Sequence, residues 1–217
     1  MAAAVDLNPA KPTMRGWLHA GMTPVVLAAG IILFTLAPPG PGRVGAAVWL
    51  LGSLVLFGTS AVYHRGNWSP RVFSLLQRLD HSNIFIFIAA TYTPLTLGLL
   101  EGQQQVLLLS LVWGIALVGI VTTFAWPGRP RWLDVALYVP MGWVAVGWLG
   151  EFWAAGGPAV VILLLLGGVI YTAGAAVYAT KRPNPSPRVF GYHEIFHACT
   201  IAAAACHFAA IAVAILR

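Results

Sequence analysis

Between Trp17 and Leu216 the sequence consists of apolar blocks, each close to the length that crosses a bilayer, separated by short polar stretches. A helix needs about 20 predominantly apolar residues to span some 30 Å of hydrocarbon. The blocks run from about Trp17 to Ala37, Val44 to His64, Leu79 to Leu100, Val106 to Phe124, Leu133 to Gly150, Ala159 to Ala179 and Gly191 to Leu216. Only 8% of the residues are charged and 59% are hydrophobic, where a soluble domain carries about 25% charged residues. The apolar residues form unbroken runs rather than amphipathic stripes, so the solvent they predict is lipid. Inside lipid every backbone N–H and C=O must find a partner within its own segment, which makes helix the expected form. The expectation is therefore all-α: a seven-transmembrane helix bundle over residues 17–217 behind a short cytoplasmic tail, residues 1–16. The first block is longer than a secretory leader core and lacks a small-residue cleavage site, so it reads as a retained span.

The distribution of Lys and Arg sets the expected orientation. The tail and the loops after the second, fourth and sixth blocks hold Lys11, Arg15, Arg65, Arg71, Arg78, Arg129, Arg131, Lys181, Arg182 and Arg188, while the other flank holds only Arg43 and Arg217. Ten against two predicts a cytoplasmic N-terminus and a C-terminus outside. The net charge of +6 comes from single or paired basic residues between apolar blocks. Nothing forms the basic patch with interleaved aromatics that nucleic-acid binding requires. Cys199 and Cys206 share the last block, where axial rise alone separates them by about 10.5 Å, too far to pair with each other.

Ionisable side chains inside hydrocarbon are costly and each calls for a partner. Applying the orientation puts His64, Asp80, His81, His193 and His197 in one layer, near the cytoplasmic ends of the second, third and seventh blocks. His193 and His197 are i and i+4, so both imidazoles leave one helix face and can grip one cation. Ser60 and His64 stand in the same relation. Zinc in catalytic sites takes three protein ligands and keeps a fourth position open. His64, His193 and His197 offer three nitrogens, and Asp80 could complete the shell or hold the water, whose pKa zinc lowers toward 7. HEIFH at 193–197 fits the H-E-x-x-H pattern, in which Glu194 would be a general base, although Glu194 could equally face the membrane boundary. Each residue also has a plainer reading: a histidine at a span end as an interfacial residue, Asp80 as a helix N-terminal charge. Their coincidence at one depth favours metal. His81 is expected to point away from Asp80, and His19 and His207 to serve packing or hydrogen bonding.

The runs SAVYH at 60–64, DHSNIFIFIAATYTP at 80–94, and HEIFH at 193–197 followed by ACHF at 205–208 resemble the hemolysin III family. That family belongs with the progestin and adipoQ receptors, which include the adiponectin receptors. The resemblance covers essentially the whole transmembrane core and implies seven helices with a cytoplasmic N-terminus and a zinc site near the inner leaflet. Carried over by motif, the family's metal histidines fall on His64, His193 and His197, its aspartate on Asp80 and its serine on Ser60. The wider superfamily includes alkaline ceramidases, which implies amide hydrolysis of a membrane lipid. The bacterial branch matches better, implying a bacterial inner (cytoplasmic) membrane. The expectation is a zinc-dependent lipid amide or ester hydrolase, with Asp80 and Ser60 as its catalytic pair and membrane lipids as its partners. The alternatives are a non-enzymatic membrane-state sensor held together by structural zinc, or a cytolysin, to which the scarcity of polar residues in the spans lends little support.

Overall fold

The computed structural model describes residues 11–126 and 128–217, apart from the side chain of Arg131. Among these residues the regular structure is helical. The elements are α1 (Trp17–Leu36), α2 (Pro41–Arg65), α3 (Pro70–Leu99), α4 (Gly102–Ala125), α5 (Arg131–Trp143), a 3-10 turn (Val144–Trp148), α6 (Leu149–Thr180) and α7 (Tyr192–Ile215). Consecutive helices pack side by side, and α7 closes the bundle against α6, α3 and α1. α3 is the central helix: 72% of its apolar window is buried, against 28% for α4. Large apolar side chains such as Leu51, Leu117 and Ile162 face outward, as expected of a chain whose exterior is solvated by acyl chains.

Close approach of α2 and α3 depends on missing side chains. A Cβ on Gly52 would stand 2.5 Å from that of Ala90, and one on Gly45 would meet the Pro94 backbone at 2.7 Å. With lipid on the outside, helices gain by packing backbones closely through small residues rather than by hiding apolar surface from water. Pro94 lies within α3 at this contact.

Six stretches are long and apolar enough to cross a membrane, the fifth of them being the 49 residues Trp132–Thr180. Straight, that stretch would reach about 73 Å, more than twice the hydrocarbon thickness. It is broken at Gly157, whose φ of 76° and ψ of 177° are open to glycine and foreign to a helix, and Pro158 restarts the helix. Trp143 and Thr172, nearly equidistant from Gly157 in sequence, meet through an indole N–H donated to Oγ1 at 3.0 Å. The two arms therefore lie alongside each other.

Three boundaries differ from expectation. α3 begins at Pro70 rather than near Leu79, because a helix can continue through polar residues such as Arg71 and Arg78 once it leaves the hydrocarbon. The fifth block is not one helix. It passes through the 3-10 turn, where the Tyr92 hydroxyl accepts from the Ala145 N–H at 2.8 Å and donates to the Gly142 carbonyl at 2.8 Å. The link expected between the fifth and sixth blocks is itself helical up to Gly157. Of the expected tail, residues 1–10 lie outside the described residues. Residues beyond them pair with the α6–α7 connection, through Thr13 N–H to Arg188 O and Met14 N–H to Val189 O.

Candidate metal centre

The last turn of α2 carries His64, with Ser60 one turn earlier, and the first two turns of α7 carry His193 and His197. Nε2 of His64 lies 3.2 Å from Nε2 of His193. One ligating nitrogen from each of His64, His193 and His197 can be chosen so that all lie within 4.8 Å of one another. Two nitrogens bound tetrahedrally at 2.0–2.1 Å stand roughly 3.3 Å apart. The His64–His193 separation already has about that value, and His197 offers a third nitrogen within the same 4.8 Å group. Three imidazoles, one half-buried and two buried, form a donor set suited to zinc.

Asp80 projects from α3 beside this group, with Oδ2 3.8 Å from His64 Nε2. Ser60 lines the same cavity wall as this carboxylate. All five residues singled out by spacing thus come together from three helices, with Asp80 next to the three nitrogens rather than among them.

Glu194 is buried, and its carboxylate is taken up by Arg15 Nε at 2.5 Å and by the Gly191 N–H at 2.8 Å. It caps α7 and ties the chain before α1 to it, so it is engaged as a structural charge and not as a base facing the histidines. His81 does point away from Asp80, with Nδ1 3.8 Å from Asp134 Oδ2. His207 Nε2 donates to the Leu164 carbonyl, 3.2 Å away.

Two features escaped the sequence. The first is His19, which stacks on His197 with centroids 3.8 Å apart and planes within 5°. It is buried, and neither ring nitrogen has a hydrogen-bond partner among the described residues. Its position near the start of the first block, on the same flank as Lys11 and Arg15, was the available signal. The second is a charge cluster joining α3, α4 and α5. Arg129 Nε meets Asp134 Oδ1 at 2.5 Å, its Nη2 donates to Thr123 Oγ1 at 2.8 Å, and Asp134 is 3% exposed. An aspartate just inside the fifth block, five residues after an arginine, was the signal there.

Below the histidines runs an apolar cavity of about 130 Å³. Ser60, Asp80, His19 and His197 form its upper wall, and Leu95, Leu164 and His207 its far end. From Asp80 to Leu95 along α3 the rise is about 22 Å. The Tyr171 hydroxyl, also in this wall, is buried without a partner among the described residues. An elongated apolar cleft with a few convergent polar groups at one end is the usual form of a ligand site.

Comparison with known proteins places the chain in a family. The family described as Haemolysin-III related matches residues 7–208. The Hemolysin-3 homolog of Bacillus subtilis (strain 168) is 31% identical over 165 residues, covering 76% of this chain and 74% of that protein. Hemolysin-3 of Bacillus cereus is 32% identical over 160 residues, 71% and 65% of the two chains. The human Monocyte to macrophage differentiation factor is 24% identical over 210 residues, 90% and 80% of the two. A match spanning nearly the whole helical bundle, with the histidine-bearing turns inside it, makes this chain a multi-pass membrane protein of the haemolysin-III related family.

Proposed function

We propose that the protein is a zinc-dependent hydrolase of a lipid amide or ester, crossing the membrane seven times with its histidine cluster toward the cytoplasm. The reversal at Gly157 supports counting the 49-residue stretch as two crossings. The excess of Lys and Arg on the tail and alternate loops supports the orientation. With bacterial relatives at 31% and 32% identity, a bacterial inner membrane is the proposed location.

The observation that carries the reading is the meeting of a three-imidazole group, a Ser60–Asp80 pair and an elongated apolar cavity at one point. A zinc ion held by His64, His193 and His197 supplies a Lewis acid for a carbonyl and an acidified water. The cavity wall excludes bulk water and aligns an acyl chain along α3. Asp80 orients the attacking water and takes its proton. The carbonyl carbon gains hydroxyl, its bond to the leaving nitrogen or oxygen breaks, and that atom receives the proton from Asp80, giving a carboxylic acid and an amine or alcohol. Ser60 fixes the Asp80 carboxylate for both transfers.

The test is metal content by mass spectrometry on detergent-purified protein beside the His193→Ala/His197→Ala double variant, followed by a lipid-hydrolysis screen. The expected result is about one zinc per chain, as a three-histidine site predicts, lost in the variant. A well-folded native protein without metal overturns the proposal. A second reading, a sensor with structural zinc, rests on the fact that the cluster ties α2 to α7. Chelation would then lower the melting temperature in a protein that turns over no lipid.

A further inference from the structure

Two hollows meet at the histidine cluster, and their walls differ. The inner one is the apolar cavity. The outer one is a polar vestibule of about 290 Å³ at the end of the bundle marked by the basic loops. His197 belongs to the inner wall, His64 and His193 to the outer, and Asp80 alone lines both. The vestibule collects Lys11, Arg15, Arg78 and Arg129 from the tail, α3 and the α4–α5 connection.

Not all of this positive charge is neutralised. Glu194 takes Arg15 and Asp134 takes Arg129. Among the described residues neither Lys11 nor Arg78 has a carboxylate partner; Lys11 donates only to the Gly66 carbonyl at 3.3 Å. Nε of Arg78 and Nη1 of Arg129 are buried with no acceptor among the described residues, and the Arg129 side chain is 4% exposed. A buried guanidinium N–H without an acceptor is costly to keep, and guanidinium groups match phosphate oxygens in fixed, paired geometry. Donors approaching from three elements suit a tetrahedral oxyanion better than a planar carboxylate.

We propose that the vestibule binds the phosphate of a lipid headgroup, so that an anionic acyl lipid lies across the partition with its chain in the inner cavity and its headgroup among the arginines. This rests on the reading of the inner cavity as an acyl site. It narrows the substrate class to acyl lipids carrying a phosphate on the cytoplasmic side of the reacting carbonyl.

The experiment measures binding, not turnover, on the purified full-length chain in a neutral maltoside detergent, zinc-loaded and chelated. The probes are dioctanoyl phosphatidic acid, dioctanoylglycerol, which lacks only the phosphate, and inorganic phosphate. The expected result is binding of the phosphatidic acid about tenfold or more tighter than that of dioctanoylglycerol, as one or more charge-assisted hydrogen bonds would give, weakening as salt is raised. Arg78→Gln removes most of that preference and Arg78→Lys restores part of it, both with native melting temperature, since Arg78 makes no internal ion pair. Equal binding of the two dioctanoyl lipids overturns the proposal, as does an unchanged preference in a folded Arg78→Gln protein. Inorganic phosphate binding as tightly as phosphatidic acid overturns the headgroup as its source and leaves a soluble anion. Failure to hydrolyse any lipid leaves these results standing, whereas hydrolysis of neutral lipids without a phosphate preference defeats this inference and not the hydrolase.

Discussion

Two groups of titratable side chains sit at the same end of the bundle, and they are built in opposite ways. In the Arg129–Asp134–His81 group opposite charges meet directly, and Asp134 receives Arg129 at 2.5 Å with His81 3.8 Å away. In the histidine group three imidazoles converge with their nitrogens toward one another, and Asp80 stands to the side. The first group compensates itself and locks three helices. The second converges donors and calls for a cation. Net charge alone would not separate them; the direction of the lone pairs does.

The sharpest way to break this contrast is to remove metal ligands from one group and a charge from the other. His193→Ala/His197→Ala should take zinc from about one per chain to none, with all metal-dependent turnover lost. Arg129→Met should leave zinc content unchanged. Mass spectrometry on the two variants decides, and loss of zinc from Arg129→Met would show that the groups are not independent.

Within the histidine group, Asp80→Asn should keep the metal and the fold while lowering lipid turnover by about 10²–10⁴-fold, the usual contribution of a proton-transferring side chain. Undiminished cleavage by this variant sinks the assigned role. Within the other group, Arg129→Met leaves Asp134 charged and buried, and breaking such a pair costs about 3–5 kcal/mol. Thermal or denaturant unfolding in detergent should register that loss, and a shift of under 1 kcal/mol would mean that Asp134 finds solvent.

The same contrast explains what could be read from the chain. The converging group was legible because its members mark themselves: His193 and His197 by their i, i+4 spacing, His64 and Asp80 by lying at span ends on one flank. Topological parity then brings distant segments into one layer. The compensated group was harder to read: Asp134 lies just inside the fifth block, but the sequence does not say which of the basic residues on that flank takes its charge. Glu194 was misleading for a related reason: the pattern HEIFH fixes its spacing to the histidines but carries no information about Arg15, which takes its carboxylate from 179 residues away. Hydropathy found the lipid-facing lengths. It could not find the extension of α3 back to Pro70 or the helical approach to Gly157, because those residues leave the hydrocarbon without leaving the helix. His19 gives no period, and beyond its place near the start of the first block it is its stacking on His197 that reveals it.

His19 is also where the smallest effect carries the finest distinction. Among the described residues neither of its ring nitrogens has a hydrogen-bond partner, and the ring lies flat on His197 and edge-on to Phe57. Replacing it by Phe keeps an aromatic ring in the stack and removes two unsatisfied polar atoms, each costing about 1–3 kcal/mol when truly orphaned. If His19 only packs, His19→Phe should raise the unfolding free energy by about 1 kcal/mol and leave lipid binding and turnover as they were. The position of the ring in the cavity wall, beside Ser60 and Asp80, predicts the other outcome: equal or higher stability with weaker binding of an acyl lipid that carries a carbonyl. Unfolding and binding measured on the same preparation separate the two, because a packing residue moves only the first and a ligand-facing nitrogen moves them in opposite directions.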